Sequence, residues 1–332
     1  MNNTTMSYLE IIEKYKDIKI GVIGDFIADV YIYGSPRRLS REAPIVVIEY
    51  EYEELRPGGA ANSVNNIAAL EALVFPVSLV GDDKEGGFLK ETLCKGKVSP
   101  DGIFVEPGFE TLLKSRILAG DLHTVKQQIA RIDKGKPYLI DTSLEIKILD
   151  YINKIGQDTS AWVVSDYGYQ FLTDKIRERI RDLFPRNIVV ADTRHAVKEF
   201  GRITAITPNE SEALNFGRYF LNDKDNLFVI GEQLIDILHL NAALITRGNK
   251  GMLLFEKDKE PVEISVVGTK EIVDVSGAGD TVTSTFTLSL ACGATFEQAA
   301  RLANCAASVV VMKSGTATCS KDELIRTVEK YL

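Results

Sequence analysis

The second half of the sequence alternates between amphipathic, helix-like stretches and short apolar runs, and this alternation limits the folds that the chain can adopt. Helical periodicity over 143–155 precedes the apolar run 162–165, and a helical stretch over 173–183 precedes the run 188–191. Such alternation is typical of an α/β protein, because a crossover helix between two neighbouring strands makes those strands parallel. The pattern predicts a mostly parallel central sheet with helices on both faces.

Two β-rich stretches, at about 31–56 and 103–132, do not follow this alternation. They are predicted to form a small separate sheet that acts as a lid over one end of the main sheet. The sequence has no internal repeat, low-complexity tract or linker. We therefore expect residues 1–332 to form a single domain that carries a β lid.

Charge and composition exclude several kinds of partner. The 332 residues are 45% hydrophobic and 26% charged, with a net charge of -8 and a pI near 5.2. This acidity disfavours nucleic acid and anionic membranes as partners. The N-terminal segment has no apolar signal core, and no apolar run approaches the roughly 18 residues of a membrane span. Cys292 and Cys305 lie in alanine-rich helical surroundings and are predicted to be small core residues. These features predict a cytoplasmic protein.

The segment 274–281, DVSGAGDT, is the most informative motif of the chain. Gly277 and Gly279 allow the backbone to turn so that consecutive N–H groups converge on one point. A helix predicted over 281–292 directs the positive end of its dipole to the same point. An anion is therefore expected there, beside the carboxylate of Asp280.

A carboxylate next to an anion-binding turn indicates phosphoryl transfer. The amides of Gly277, Ala278 and Gly279 would stabilise the charge of a moving phosphate, and Asp280 would take the proton of an attacking hydroxyl. The alternative is a helix capped by Ser276, with glycines that serve only the turn.

Further clusters of polar residues and glycine follow predicted strands or open predicted helices. In open α/β sheets, ligands bind at the carboxyl ends of the strands. We therefore expect these clusters to meet at one edge of the sheet. They lie at 24–25, 58–62, 81–83, 246–248 and 277–280.

The first two clusters contain groups suited to a polyol. Asp25 and Asp29 can accept hydrogen bonds from sugar hydroxyls, and Asn62 can both donate and accept. Gly58 and Gly59 would let a ligand approach the backbone closely. The alternatives are solvated loop acids and tight packing of a helix on the sheet.

Two later motifs are suited to phosphates or to a metal ion. Asn209 and Glu212 have the spacing of a helix capping box, which is their structural interpretation. Their functional interpretation is contact with phosphates and hydrated Mg²⁺. Thr246 and Gly248 end a predicted strand, where the backbone can approach a nucleotide or simply form a hairpin turn.

Together these motifs resemble those of the PfkB/ribokinase family of carbohydrate kinases. The resemblance rests on DVSGAGDT, PGGAAN, TPNESE and a GD-x-x-x-D opening, and it covers about residues 19–324. The stretches QQIARID, SDYG and ASVVVMKSGTATCSKDEL resemble the branch that acts on D-glycero-β-D-manno-heptose 7-phosphate. The resemblance implies a ribokinase-like three-layer αβα sandwich with a mostly parallel central sheet and a small β-sheet lid.

The resemblance also implies a role for each matching residue. Asp280 would be the catalytic base, and the amides of 277–279 would form the anion hole. The nucleotide would be bound by Asn209, Thr246, Gly248 and Asn304. The substrate would be bound by Asp25, Asp29, Gly58, Gly59, Asn62 and Arg131. Glu212 and Asn209 would hold a metal ion through water. ATP and Mg²⁺ are the implied cofactors, a K⁺ dependence stays open, and a homodimer through the lid is implied.

The sequence departs from the heptose branch where the substrate pocket is predicted. Tyr169 stands where the branch usually has lysine, Asp192-Thr193-Arg194 replaces Asp-Pro-Lys, and Arg41 replaces a proline. The predicted acceptor is the anomeric hydroxyl of the heptose 7-phosphate. Its phosphorylation to the 1,7-bisphosphate would be a step of ADP-heptose biosynthesis. Another sugar, sugar phosphate or nucleoside is the alternative. No nucleotidyltransferase segment accompanies the kinase motifs, so only the phosphorylation step is expected.

A sensor and a dehydrogenase are the alternatives to a kinase from other function classes. A non-catalytic sugar-phosphate sensor would have no need of Asp280. A dehydrogenase is disfavoured, because the run 21–24 lacks the third glycine of the dinucleotide fingerprint. Arg37, Arg38 and Arg41 cluster in the predicted lid, where they would contact a substrate phosphate or a second subunit.

Overall fold

A computed structural model describes residues 6–120, 126–194, 196–220, 225–268 and 272–332. Its strands are β1 (Lys19–Gly24), β2 (Phe26–Leu39), β3 (Val46–Gly59), β4 (Leu73–Gly81), β5 (Ile103–Glu106), β6 (Leu112–Ala119), β7 (Gln127–Lys134), β8 (Ala161–Asp166), β9 (Ile188–Thr193), β10 (Ala205–Ile206), β11 (Ala242–Thr246), β12 (Met252–Glu256) and β13 (Val262–Ile264). Its α-helices are α1 (Tyr8–Glu13), α2 (Ala60–Ala69), α3 (Lys84–Leu93), α4 (Thr142–Gly156), α5 (Asp174–Arg181), α6 (Glu210–Phe220), α7 (Leu227–Leu238), α8 (Ala278–Ala291), α9 (Phe296–Val310) and α10 (Lys321–Tyr331).

The larger sheet has the strand order β13-β12-β11-β10-β9-β8-β1-β4-β5 within the described residues. Its strands are parallel except β12 and β13, which pair antiparallel with their neighbours. Alternate side chains of each strand enter two different cores. One core is completed by α4 to α7, and the other face is covered by α1 to α3 and α8 to α10. The predicted three-layer α/β architecture is thus confirmed.

The predicted core cysteines are buried. Cys292 and Cys305 are buried in the core, where the thiols pack as small apolar groups. No helix in the described part of the chain is long and apolar enough to cross a bilayer.

The smaller sheet has the order β3-β2-β6-β7. Its two long strands, β2 and β3, leave the larger sheet at residue 26 and return to it at residue 59, so this sheet begins earlier and ends later than the predicted 31–56. The start of the second predicted segment, 103–132, needs correction. β5 pairs with β4 in the larger sheet, because Ile103 is apolar and completes the core at that edge. Residues 121–125 of that segment lie outside the described residues.

Two glycine-rich helix starts differ from the sequence-based expectation, and both differences matter for the site. Gly58 and Gly59 still pair with β2, so α2 begins only at Ala60. Asn62 is therefore the third residue of this helix. α8 begins at Ala278 and not at 281, because Gly277 takes a left-handed conformation (φ 75°) as the N-terminal cap. Asp280 therefore lies in the first turn of a helix.

Candidate active site

The N-terminus of α8 presents unsatisfied backbone donors to a cavity. The amide of Ala278 donates to the carbonyl of Val275 at 3.2 Å, which closes a turn. The amides of Gly277, Gly279 and Asp280 have no acceptor among the described residues. Free N–H groups at the positive end of a helix dipole bind anions. Of the three amides predicted to form the anion hole, those of Gly277 and Gly279 are thus available to an anion, while the Ala278 amide is engaged in the turn.

Asp280 is buried and is held by two neutral donors. Nδ2 of Asn62 donates to Oδ2 at 2.9 Å, and the hydroxyl of Tyr167 donates to Oδ1 at 3.0 Å. Burial raises the pKa of Asp280 to about 6, while the hydrogen bonds from Asn62 and Tyr167 oppose this rise. A carboxyl group with such a pKa is ionised near neutral pH and can still accept a proton, as a general base must.

The position of Asn62 depends on Gly277. A Cβ atom at residue 277 would lie 2.4 Å from Nδ2 of Asn62, so only glycine leaves room for this amide. Oδ1 of Asn62 accepts from Nδ2 of Asn66 at 3.1 Å, and Oδ1 of Asn66 accepts from the hydroxyl of Thr281 at 2.9 Å. This chain of hydrogen bonds fixes α2 against α8 and aims the Asn62 amide at Asp280.

Asp25 lies at the carboxyl end of β1, near the predicted sugar end of the cleft. Its carboxylate accepts from the backbone amides of Tyr167 at 2.8 Å and Tyr169 at 3.3 Å. Burial and the nearby charge of Asp166 raise the pKa of Asp25 to about 7, and the two backbone hydrogen bonds oppose the rise. Asp25 can therefore exchange a proton or accept hydrogen bonds near neutral pH.

Asp29 lies further along β2 and is already paired. Nη1 of Arg116 lies 2.7 Å from Oδ1 of Asp29, and both side chains are largely buried. A Cβ atom at Gly58 would lie 2.4 Å from Oδ2 of Asp29. Gly58 is thus needed to make room for this ion pair, while Gly59 turns the chain into α2 with φ 57°.

A cavity of about 530 Å³ borders the first turns of α8 at Ala278, Gly279 and Val282. The predicted nucleotide residues Thr246, Gly248 and Asn304 line it, and the amide of Asn304 donates to the carbonyl of Ser265 at 2.7 Å. Much of the remaining lining is apolar and comes from α8, α9 and the segments before them. It includes Val266, Val267, Val275, Val282, Ala307 and Val311. This shape and polarity suit an aromatic base with a few polar contacts at its edge.

A second cavity, of about 250 Å³, continues the first and is lined by acids. The two cavities share Thr246, Val275 and Gly279, so together they form one cleft along the start of α8. The polar part contains Asp280 and the residues Asp166, Asp192, Arg194, Thr207, Asn209 and Glu212. Burial, with the charges of Glu212 and Asp280, raises the pKa of Asp192 well above its usual range.

Asn209 and Glu212 form the capping box that their spacing indicated. The amide of Glu212 donates to Oδ1 of Asn209 at 3.0 Å, and the amide of Asn209 donates to Oε2 of Glu212 at 2.9 Å. This is the capping box of α6. The same two residues line the polar cavity, together with Gly277 and Gly279 at the start of α8.

The oxygen donors of this cavity fit a hydrated Mg²⁺. No group of three or more His, Cys, Asp and Glu side chains among the described residues forms a closed metal site. Mg²⁺ usually keeps several waters and binds through one or two carboxylates together with phosphate oxygens. Glu212 and Asn209 can supply such contacts through water.

Some residues singled out in the sequence do not reach the cleft. Arg131 is exposed on β7 and pairs with Asp133. Asp83, of the cluster 81–83, caps α3 and accepts from Thr111 instead. Arg37 is exposed and pairs with Glu49. Arg38 and Arg41 are exposed too, and none of these three lid arginines lines either cavity.

Three residues of the site were not predicted from the sequence. Tyr167 bonds to Asp280, and Lys114 of β6 and Arg194 after β9 each lie over its ring, with distances of 4.4 Å to the ring centre. Tyr167 belonged to the quoted stretch SDYG, and Arg194 was named as a departure in the predicted substrate pocket, but neither was given a role in the site. Nothing in the sequence around Lys114 distinguished it from a surface lysine of a strand.

Solved structures with the same fold include two kinases. The ribokinase of Arabidopsis thaliana, solved with ribose and ATP, matches with a TM-score of 0.73 at 19% identity, over 94% of this chain and 99% of that chain. Phosphofructokinase-2 of Escherichia coli, in complex with substrates and products, matches with a TM-score of 0.76 at 16% identity, over 94% of this chain and 99% of that chain. The fold is therefore ribokinase-like.

Sequence comparison identifies the family. Residues 17–323 match the model of the pfkB family carbohydrate kinases. The bifunctional protein HldE of Geotalea uraniireducens is 37% identical over 316 residues, or 94% of this chain, and HldE of Helicobacter hepaticus is 33% identical over 318 residues, also 94% of this chain. The chain spans only 63% and 64% of the lengths of these relatives. The chain belongs to the pfkB family of carbohydrate kinases.

Proposed function

We propose that the protein transfers the γ-phosphate of ATP to the anomeric hydroxyl of D-glycero-β-D-manno-heptose 7-phosphate, which gives the 1,7-bisphosphate. The likeness to bifunctional HldE proteins over nearly the whole chain supports this branch of the family. So do the stretches QQIARID and SDYG, which contribute β7 and the Tyr167 loop. Of these two, the Tyr167 loop borders the polar part of the cleft.

The observation that carries the kinase mechanism is the place of Asp280. It lies at the polar end of a cleft whose other end is apolar, beside the free amides of Gly277 and Gly279. In the proposed reaction Asp280 accepts the proton of the sugar hydroxyl as its oxygen attacks phosphorus. The amides stabilise the charge that develops on the transferred group, and ADP leaves with the bridging oxygen.

The cofactors of the proposal are ATP and Mg²⁺. The apolar cavity would take the adenine, with Thr246, Gly248 and Asn304 at its polar edge. Mg²⁺ would neutralise phosphate charge, held through water by Glu212 and Asn209. Phosphofructokinase-2 of Escherichia coli has also been solved with potassium. Assays with and without K⁺ therefore belong to the test of the proposal.

The Asp280→Asn variant tests the mechanism. A positioned base contributes roughly 10²–10⁴ in rate, so kcat should fall by at least 100-fold while ATP affinity, measured by calorimetry, stays within a few-fold of the wild type. Asp322→Asn is the matched control, because Asp322 also lies in the first turn of a helix but is exposed on α10. Near-native turnover of Asp280→Asn would overturn the assignment of the base.

The acceptor is tested by ADP release across a panel. The panel contains the heptose 7-phosphate, the free heptose, other sugars and sugar phosphates, and nucleosides. The highest kcat/KM is expected with the heptose 7-phosphate. A higher value with another compound would replace the acceptor and leave the mechanism intact. Binding of sugar phosphates without ADP formation from any of them would instead indicate a sensor.

We also propose that the protein is a homodimer that pairs through its smaller sheet. Large apolar side chains of this sheet are exposed to an extent that an isolated subunit does not explain. They are Leu39, Val46, Tyr50, Tyr52, Ile129 and Ile132. Every residue of β7 is exposed, so this edge of the sheet is open to a second copy.

A further inference from the structure

Two positive side chains meet over Tyr167 beside the cleft. Nζ of Lys114 lies 4.4 Å from the centre of the Tyr167 ring, and Cζ of Arg194 lies 4.4 Å from the same point. The two cations are therefore at most twice that distance apart. They repel each other, and burial together with the charge of Arg194 lowers the pKa of Lys114 to about 8. An anion bound between the two cations would offset this repulsion.

Lys114 is the more informative of the two, because the residue is only 5% exposed. Apart from its place over the Tyr167 ring, its ammonium group has no hydrogen bond or ion pair with any described residue. A buried cation without a charged or hydrogen-bonding partner is costly. The carboxylates that attract it from a distance already accept from other donors. They are Asp25 with the amides of Tyr167 and Tyr169, Asp29 with Arg116, Asp133 with Arg131, and Asp280 with Asn62 and Tyr167.

Arg194, which directly follows β9, completes the pair. Its guanidinium also lacks a hydrogen bond or ion pair within the described part of the chain, and it lines the polar cavity together with Asp280 and Gly279. Lys114 comes from the smaller sheet and Arg194 from the larger one. A ligand between the two sheets would therefore meet one cation from each.

We propose that Lys114 and Arg194 form a binding site for a phosphate group at the acceptor end of the cleft. A phosphate dianion offers several oxygens, so it can accept charge-assisted hydrogen bonds from an ammonium and a guanidinium at once. Two sources of this group are chemically equivalent. One is the γ-phosphate of the nucleotide, and the other is a phosphate that the acceptor sugar already carries. The second source rests on the proposed function, since it requires a sugar phosphate as the acceptor.

The test compares Lys114→Met and Arg194→Met with the wild type. Lys134→Met is the matched control, because Lys134 is a lysine of the same small sheet whose side chain is 58% exposed. A first arm measures thermal unfolding in inorganic phosphate against chloride at equal ionic strength. The wild type and the control should be stabilised by phosphate, and the two test variants should lose most of that shift. This arm needs neither catalysis nor the correct acceptor.

A second arm identifies the source by calorimetry. If the site holds the acceptor's phosphate, Lys114→Met should bind the heptose 7-phosphate roughly 10- to 100-fold more weakly and the free heptose unchanged. If it holds the γ-phosphate, the same loss should appear for the β,γ-imido analogue of ATP and not for ADP. Failure of the wild type to bind the heptose 7-phosphate would reject the proposed acceptor, while the phosphate and nucleotide measurements still decide the role of Lys114.

The proposal is overturned by either of two results. One is that both test variants keep the phosphate-induced shift and bind every phosphorylated ligand within twofold of the wild type. The other is that Lys134→Met loses as much as they do, which would show that only the overall charge of the sheet matters.

Discussion

Asp280 must be ionised to accept a proton, yet it is buried, so its neighbours decide the pH range in which it can act. Burial alone would hold the proton on the carboxyl group. The donors Asn62 and Tyr167 stabilise the charged form and keep the pKa at about 6. Tyr167 can only donate to a carboxylate here, so its hydroxyl has one clear electrostatic effect on the base.

Removal of that hydroxyl should shift the pH dependence of the reaction. In Tyr167→Phe the charged form of Asp280 loses one donor, so its pKa should rise. The pKa of Asp280, about 6, predicts an acidic limb of kcat/KM near pH 6 for the wild type. In Tyr167→Phe this limb should move to higher pH by roughly one unit. Tyr138→Phe is the control, since the Tyr138 hydroxyl also donates to a carboxylate, that of Glu106, at 3.1 Å. An unchanged limb in Tyr167→Phe would reject this role.

The residues of the DVSGAGDT motif could be placed from the sequence because the conformation of such a turn is local. Tyr167 could not, since it lies 113 residues from Asp280 and its role exists only after β8 and α8 have packed together. Lys114 was missed for the same reason. The ion pair between Asp29 and Arg116 was also invisible, so Asp29 was assigned to the sugar with no sign of its own partner.

At the level of secondary-structure elements, the start of α8 is decided by Gly277. Its left-handed conformation caps the helix three residues earlier than the sequence pattern indicated. The shift brings Asp280 into the first turn, where its own amide stays free for a ligand. A helix start of this kind is set by one backbone angle, which hydrophobic periodicity does not report.

Alanine substitutions at the two glycines of this helix start should have different effects. Gly277→Ala places a Cβ atom 2.4 Å from Nδ2 of Asn62 at a φ of 75°, so the free energy of unfolding should fall by about 1–3 kcal/mol and kcat should fall with it. At Gly279 the new Cβ atom would meet only Asp192, at 3.8 Å. Gly279→Ala should therefore change the unfolding free energy by less than about 1 kcal/mol.

Urea denaturation of both variants checks this contrast. Equal destabilisation by the two substitutions would show that the turn, and not the space required by Asn62, sets the need for glycine at residue 277.

The central strands of the larger sheet, such as β1 and β8, were the most predictable elements, because each is an apolar run with buried residues on both faces. The smaller sheet was less so. β2 continues directly from β1 after one residue, and no turn signal separates them. β5 was assigned to the smaller sheet because a four-residue strand carries no information about its partner, and only the burial of Ile103 decides it.

At the scale of the whole molecule, the exposed side of the smaller sheet determines the expected assembly. Light scattering should show a dimer for the wild type and a monomer for Ile132→Glu, because a charge at the apolar contact would have to be desolvated. Ile146→Glu on α4 is the matched control, since Ile146 is 52% exposed and Ile132 58%. A wild type that is monomeric at all concentrations would rule out this assembly.

The path of β2 and β3 has a consequence for ATP hydrolysis in the absence of a sugar. β2 starts one residue after β1, beside Asp25, and β3 ends at Gly59, three residues before Asn62. A hinge movement of the smaller sheet would therefore tilt α2 and lengthen the 2.9 Å hydrogen bond that orients Asp280. If ATP binds while the smaller sheet is moved away from the cleft, the carboxylate of Asp280 would be misaligned. The hydrolysis of ATP by water should then be slow. If ADP is released without any sugar at a rate comparable to that with sugar, the position of the smaller sheet does not control the orientation of Asp280.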